Sequence, residues 1–164
     1  MKFPFTLQKS QMDCGPTCLY MIGKFYGRNL NMQSIVENTE IGKDGVNLLG
    51  LSTAAEKIGF RTLSVEISFD KLINEAPLPC IVHWEQKHFV VVIPRSNGKN
   101  IIVADPAYGI IKYNKDEFCS RWMASTSDTK GIALLIEPTQ AFSSHLNSQT
   151  PNLCKRTQTS AELN

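Results

Sequence analysis

The chain has 164 residues, of which 42% are hydrophobic and 20% charged, and its formal net charge is +2. These values are ordinary for a globular protein and allow one domain with a sizeable apolar core. No stretch combines clustered Lys and Arg with interleaved aromatic residues, so the sequence argues against a nucleic acid as partner.

The sequence carries no sign of secretion or membrane insertion. The first 15 residues turn polar without forming an apolar h-region, which argues against a signal peptide. The longest apolar runs, residues 89–93 and 132–136, are too short to cross a bilayer. Five cysteines make an odd number, which in a chain without a secretion signal favours a reducing compartment over a disulfide framework.

Helical patterns occupy the first third of the chain. One helix is predicted to begin at Cys14-Gly15-Pro16 and to end at Gly27, because Pro suits a first turn and Gly terminates helices. Two more are predicted over about residues 31–41 and 47–59.

From residue 60 onward, short β-prone segments alternate with Pro, Gly and Asn. The predicted strands are 61–67, 78–84, 88–94, 100–106, 109–113 and 131–138, with one short helix over 116–122. A hairpin break at residues 96–98 indicates antiparallel pairing. Helices followed by strands predict an α+β fold in which the N-terminal helical part packs on an antiparallel sheet.

The composition divides the chain into residues 1–138, which form the folded domain, and residues 139–164. The second segment is rich in Ser, Thr, Gln and Asn and poor in apolar residues. Such a segment buries too little surface to offset its conformational entropy. It is therefore predicted to be a disordered tail or the stub of a linker.

Cys14 is the candidate nucleophile. At a helix N-terminus, the macrodipole and unpaired backbone N–H groups favour thiolate over thiol. A cysteine taken at random is more often a small buried residue. Here, however, Gly15 allows a substrate to approach closely and Pro16 fits the first helical turn.

A thiol nucleophile needs a base, and the chain has three histidines. His145 lies in the polar tail, whereas His83 and His88 flank the segment WEQK between two predicted strands. A lone histidine at a strand end is usually an ordinary structural residue. His88, however, begins the apolar segment HFVVV and would project from a sheet edge towards a facing helix, so we favour it as the base.

Asp105 is the candidate for a third group that holds the imidazole in one tautomer and stabilises its cation. It follows the apolar segment NIIVA and precedes Pro106, which places it at the same predicted sheet edge as His88. The alternative is that Asp105-Pro106 simply opens a turn. The chain order Cys14, His88, Asp105 is the order found in papain-like cysteine peptidases.

The segment QKSQMDCGPTC resembles the active-site signature of the peptidase C39 family, in which a Gln lies six positions before a Cys that follows Asp and precedes Gly. The later segments HFVVV and DPAYG resemble the histidine and aspartate motifs of that family in kind and order. The resemblance covers roughly residues 4 to 137 and leaves the tail unmatched.

This resemblance implies a papain-like cysteine peptidase domain fused to the N-terminus of a peptide exporter. Such a domain removes the leader of a secreted peptide or bacteriocin behind a Gly-Gly, Gly-Ala or Gly-Ser pair. The implied roles are nucleophile for Cys14, general base for His88, orienting acid for Asp105 and oxyanion donor for Gln8. The implied partners are the leader peptide and the membrane and ATP-binding domains of the exporter, at the cytoplasmic face of a bacterial inner membrane. No cofactor or metal is expected.

Individual structural or catalytic roles are expected for four further residues. The side-chain N–H of Gln8 and the backbone N–H of Cys14 could together donate to the oxyanion of a tetrahedral intermediate. Asp13 is predicted to cap the first helix, although it could instead adjust the thiolate. Cys18, one helical turn after Cys14, is predicted to be a core residue. Trp84 is predicted to wall a narrow subsite that excludes side chains and so selects glycine.

Three alternatives remain open at this stage. The domain could bind leaders without cutting them, it could hold a metal through Cys14, Cys18 and two histidines, or it could be an acyl transferase with the same triad. A GxxxxGK[ST] phosphate-binding loop does not occur in the sequence. An excised domain, a truncated gene and a stand-alone peptidase would each account for that.

Overall fold

The computed structural model describes residues 2–42, 45–125 and 127–148. The helices are α1 (Cys14–Phe25), α2 (Met32–Asn38), α3 (Leu48–Ile58), α4 (Phe69–Asn74), α5 (Lys115–Trp122) and α6 (Gln140–Ser148). The strands are β1 (Ile41–Gly42), β2 (Gly45–Val46), β3 (Phe60–Ser68), β4 (Cys80–Trp84), β5 (His88–Val92), β6 (Ile101–Asp105), β7 (Gly109–Tyr113) and β8 (Lys130–Pro138).

Six of the strands form one sheet in the order β3-β8-β4-β5-β6-β7, in which every neighbouring pair is antiparallel. The predicted turn between β5 and β6 is present, and the Asn97 side chain accepts hydrogen bonds there from the backbone N–H groups of Lys99 and Asn100. With the N-terminal helices packed on this sheet, the predicted α+β class is confirmed.

Local sequence signals explain where the helices begin and end. The Asn47 side chain accepts a hydrogen bond from the Gly50 N–H at 2.7 Å and so caps α3. Gly59 ends α3 with φ of 111°, a left-handed conformation that favours glycine. At α5, Asn114 and Glu117 form a reciprocal capping box. The predicted helices near residues 14–27, 47–59 and 116–122 are thus confirmed.

Apolar side chains cover both faces of the sheet. On one face, residues of α1 and α3 such as Leu19 and Leu51 pack against Val91 of β5. On the other face, Phe118 of α5 and Leu72 of α4 form a second core. The segment of α4 was not expected from the sequence, because six residues are too few to show helical periodicity.

The beginning of the polar tail also belongs to the folded domain. Residues 140–148 form α6, and Phe142 on this helix is buried, with its ring centroid 4.5 Å from that of Phe60. The prediction of disorder from residue 139 onward is therefore wrong for this helix. Residues 149–164 lie outside the described part of the chain.

Within the described ranges, no helix is both long enough and apolar enough to span a bilayer.

Candidate active site

Cys14 is the first residue of α1 and follows a single 3-10 turn, Gln11–Asp13. It is 6% exposed, so most of its surface is shielded by protein. Asp13 occupies the N-cap position, but in the described structure its side chain makes no capping hydrogen bond. The prediction that Asp13 caps α1 is therefore wrong. Its backbone (φ −97°, ψ 6°) departs from the extended conformation in which a side chain ordinarily reaches back to the helix N–H groups.

His88 and Asp105 meet because β5 and β6 are antiparallel neighbours, so that the start of one strand adjoins the end of the other. The Nε2 atom of His88 lies 2.7 Å from Oδ1 of Asp105. Asp105 is 3% exposed, and the same Oδ1 accepts a hydrogen bond from the Ala107 N–H at 2.9 Å. The carboxylate is thus held by two donors, and it fixes the orientation of the imidazole.

His88 also forms a hydrogen bond with Cys14. Because Asp105 engages Nε2, the other ring nitrogen, Nδ1, is the one available to the thiol. Burial alone would lower the pKa of His88, but the hydrogen bonds and negative charges of Asp105 and Cys14 outweigh burial and raise the pKa to about 9. At neutral pH the imidazole is therefore protonated on both nitrogens, and its positive charge lies between the Asp105 carboxylate and the Cys14 sulfur.

Gln8 lies in the same cleft as His88 and Asp105. Its backbone N–H donates to the carbonyl of Pro106 at 2.7 Å, which ties the segment before α1 to the turn that follows Asp105. Its side-chain Nε2 donates to the Ser10 carbonyl at 3.0 Å, whereas Oε1 is buried without a hydrogen-bond partner among the described residues. The sequence could not show the contact with Pro106, because it joins segments almost 100 positions apart.

The turn before His88 was also not visible in the sequence. Glu85 and Gln86 adopt φ of 50° and 60°, which side-chain-bearing residues rarely do. Contacts with the end of α5 hold them there: the Glu85 N–H donates to the Arg121 carbonyl at 2.8 Å, and the two side chains form an ion pair. Gln86 donates to the Ala124 carbonyl at 2.9 Å. These contacts fix the backbone immediately before His88.

Other residues singled out in the sequence take structural positions. His83 packs against Phe89 with ring centroids 5.3 Å apart, and burial lowers the pKa of His83. Cys18 is fully buried, its Sγ donates to the Phe89 carbonyl, and burial raises its pKa well above the usual range. The expectation that Cys18 is a core residue is confirmed, and His83 is not part of the Cys14 cluster.

Gly15 and Trp84 were predicted to contact substrate. A Cβ atom on Gly15 would lie 3.1 Å from Val46 and 3.2 Å from Leu51, so the absence of a side chain lets α1 pack closely on its neighbours. Trp84 is 2% exposed and packs on Tyr113 at 5.5 Å between ring centroids, at the floor of the cleft. A contact of either residue with substrate stays a prediction.

The cleft beside His88 has a volume of about 670 Å³, which is within the usual range for binding sites of about 300–1,000 Å³. The described residues contain no group of three or more His, Cys, Asp or Glu side chains placed to hold a metal ion. The site combines a cysteine at a helix N-terminus, a protonated histidine and a buried carboxylate. Nucleophilic catalysis of acyl transfer uses groups of this kind.

A cysteine, a histidine and a buried carboxylate that meet on a papain-like α+β fold are the arrangement found in cysteine peptidase domains. The chain belongs to the peptidase C39 family, whose model matches residues 2–141. The resemblance seen in the motifs around Cys14, His88 and Asp105 is thereby confirmed at the level of the family.

Relatives of the chain are parts of export systems. It is 30% identical over 143 residues to the colicin V secretion/processing ATP-binding protein of Escherichia coli, covering 87% of this chain and 19% of that protein. It is 36% identical over 121 residues to the lactococcin-G-processing and transport ATP-binding protein of Lactococcus lactis, covering 70% of this chain and 17% of that protein. The chain thus spans about a fifth of the length of these relatives.

Two solved structures that are similar to this chain are also proteases that belong to transporters. A double glycine motif protease from an AMS/PCAT transporter, in complex with the leader peptide, superposes with a TM-score of 0.75 at 30% identity. That match covers 84% of this chain and 93% of the other. The peptidase domain of Streptococcus ComA, a bi-functional ABC transporter, superposes with a TM-score of 0.72 at 28% identity, covering 84% and 100%.

Proposed function

We propose that the chain is a cysteine endopeptidase that cleaves the leader of a secreted peptide after a Gly-Gly type pair, in partnership with the membrane and ATP-binding domains of a peptide exporter. The observation that carries the proposal is the continuous hydrogen-bonded series Cys14, His88 and Asp105 at the N-terminus of α1. A module that only binds leaders has no need for a charged histidine held between a thiol and a buried carboxylate.

The series gives each residue a role. The Cys14 sulfur attacks the carbonyl carbon of the scissile bond, and a bond forms between sulfur and carbon. The imidazolium of His88 then gives its proton to the leaving amine, so the cargo departs with a free N-terminus and the leader stays on Cys14 as a thioester. Water, deprotonated by His88, attacks the thioester and releases the leader, and the proton returns to the Cys14–His88 pair. Asp105 holds the imidazole throughout and stabilises its positive charge.

The negative oxygen of the tetrahedral intermediate needs donors that are already in place. The backbone N–H of Cys14, at the first position of α1, is one candidate. The Gln8 side chain is the other, because an amide nitrogen carries two N–H donors and only one is required for the Ser10 carbonyl. The hydrogen bond from the Gln8 backbone to Pro106 keeps this side chain beside the catalytic turn.

The substrate and partners are proposed from the relatives. One structural neighbour was solved with a leader peptide, and the relatives in Escherichia coli and Lactococcus lactis are described as processing and transport proteins. A domain acting with such an exporter would operate at the cytoplasmic face of a bacterial inner membrane, where leader-bearing precursors are made.

The test is incubation of the protein with a synthetic leader peptide that ends in Gly-Gly and continues into a short cargo, followed by mass spectrometry. Cleavage is expected directly after the second glycine. Cys14→Ala should abolish cleavage but still bind the peptide, because it removes the nucleophile and little apolar surface. Replacing the second glycine of the peptide with Val should block turnover, since a subsite closed around glycine has no room for a branched side chain.

Cys18→Ala is the matched control, because it removes a thiol from the same helix one turn away. Cys18 donates to the Phe89 carbonyl, whereas the side-chain hydrogen bonds of His88 are made with Asp105 and Cys14, so this variant should still cleave the peptide. Tight binding of the leader without cleavage by the unaltered protein would favour a non-catalytic module. In a digest without added amine, transfer of the leader to an amino group of the peptide itself, in preference to hydrolysis by water, would favour an acyl transferase.

A further inference from the structure

An aromatic side chain stands at the rim of the cleft with almost no protein around it. Tyr108 is 82% exposed, more than the other exposed large apolar residues of the described surface, which range from 41% for Ile110 to 74% for Leu49. Its backbone is nevertheless fixed, because the Tyr108 N–H donates to the Asp105 carbonyl at 3.1 Å. A ring held out on a rigid backbone loses little conformational freedom when a ligand covers it.

Together with Tyr108, apolar side chains form one wall of the cleft. Ile111 and Tyr113, both on β7, line the same cleft as Tyr108, His88 and Asp105. Of the charged residues nearby, Arg121 pairs with Glu85 and also lies 5.5 Å from the centre of the Tyr113 ring, and Lys87 lines the cleft as well. The wall therefore offers aromatic and aliphatic surface, and its ion pair is already satisfied.

The cleft is large enough to hold a residue with a side chain. Its volume of about 670 Å³ leaves space for whole side chains, whereas a glycine-selective subsite must exclude even a methyl group. The open part of the cleft therefore suits a residue larger than glycine.

The direction of proton transfer indicates which side of the scissile bond lies in the cleft. His88 has to protonate the amine that leaves, so the residue carrying this amine must lie against the imidazole. The imidazole lines the cleft, and Tyr108 stands three positions after the carboxylate that orients it. The cleft therefore lies beside the imidazole from which the leaving amine takes its proton.

We propose that Tyr108 and Ile111 form a subsite for the cargo side of the scissile bond, which favours an aromatic or large apolar residue at the start of the cargo. This inference rests on the proposed peptidase function and adds to it a determinant of cargo preference. Tyr108 and Ile111 are binding residues that take no part in the bond-making steps.

The acyl-enzyme gives a direct test, because the leader then occupies its own subsites and the cargo side is empty. An added amino-acid amide can enter there, and its nitrogen attacks the thioester carbonyl. The amine's proton passes through His88 to the Cys14 sulfur as the C–S bond breaks, and a leader–amino-acid amide results. Mass spectrometry of a digest containing phenylalanine amide or alanine amide at equal concentration measures the ratio of transfer to hydrolysis.

Phenylalanine amide should give about fivefold more transfer than alanine amide, as one aromatic contact of moderate strength would produce. Tyr108→Ala and Ile111→Ala should each bring the two ratios close together. Ile110→Ala is the matched control, because it removes the same atoms from the neighbouring position of β7. Ile110 lines a different cavity together with Phe3 and Phe25, so this variant should keep the preference.

Equal transfer to both amides by the unaltered protein would overturn the inference and leave the peptidase function standing. The inference would also be overturned if Tyr108→Ala altered the KM of leader variants while the transfer ratios stayed unchanged, since the cleft would then hold the leader side. Absence of any cleavage would overturn the proposed function itself. Labelling of Cys14 by iodoacetamide at the normal rate shows that each variant is folded around its site.

Discussion

Replacing Asp105 with Asn tests whether the charge of this carboxylate keeps His88 protonated. The amide oxygen of the new side chain can still accept hydrogen bonds from His88 and from the Ala107 N–H, so the turn should keep its shape. What disappears is the negative charge beside the imidazole. Burial then opposes protonation, and only the interaction with Cys14 still supports it.

The size of the effect follows from the pKa of about 9. If the pKa falls to the ordinary value near 6.5, the protonated fraction of His88 at pH 8 drops about thirtyfold, and at pH 7 it drops about fourfold. The imidazolium is the acid that serves the leaving amine, so kcat/KM should fall by at least similar factors. The alkaline limb of the pH profile should move from about pH 9 towards neutrality.

Two measurements check this. NMR titration of carbon-13 labelled histidine, assigned with His88→Gln, gives the pKa of the ring directly, and kcat/KM from pH 5 to 10 gives the functional profile. Asp116→Asn makes the same chemical change on the exposed first turn of α5 and should leave both unchanged. A ring that still titrates near pH 9 in Asp105→Asn would refute the reasoning and assign the ionisation of His88 to Cys14 alone.

Three further predictions concern the oxyanion donor, the pH dependence of stability and the C-terminal helix. Gln8→Ala should lower kcat by about a hundredfold or more with little change in KM, while iodoacetamide should label Cys14 as before because alkylation develops no oxyanion. The stability advantage of the unaltered protein over His88→Gln in urea should be largest below pH 6.5 and should disappear as the pH rises through about 9, because the folded state holds the proton more tightly than the unfolded state. Phe142→Ala should reduce the free energy of unfolding by about 3–5 kcal/mol, because it empties a buried site beside Phe60.

Each of these has an outcome that contradicts it. Loss of both hydrolysis and labelling in Gln8→Ala would mean that Gln8 supports the geometry of Cys14 and His88. A stability advantage that does not change with pH would show that His88 titrates alike in the folded and unfolded states. A loss below 1 kcal/mol in Phe142→Ala, equal to that of the exposed control Ser143→Ala, would show that α6 adds little to the core.

Several parts of the molecule could be predicted because they depend on neighbours within one helical turn or strand. Cys14-Gly15-Pro16 starts α1, and the Asn47 cap and Gly59 bound α3, since capping and backbone preferences act over three or four positions. The β-prone segments gave the strands for the same reason. The motifs around Cys14, His88 and Asp105 predicted both the family and the residues that the fold brings together.

Other features arise from contacts between distant segments, which local patterns do not encode. Phe142 is one aromatic residue in a polar segment, and only the shape of the surface near Phe60 shows that it is buried. Gly15 was expected beside the substrate, and the structure shows that its lack of a side chain also lets α1 pack closely on Val46 and Leu51.

The sequence by itself determined the local elements, the family and the order Cys14, His88, Asp105. The tertiary structure decided that His88 contacts Asp105 while His83 packs against Phe89, and that Tyr108 lies at the rim of the cleft. The sequence alone could not show these features, because a side chain's pKa, burial and hydrogen-bond partners depend on antiparallel pairing across the sheet. That pairing places the start of β5 beside the end of β6.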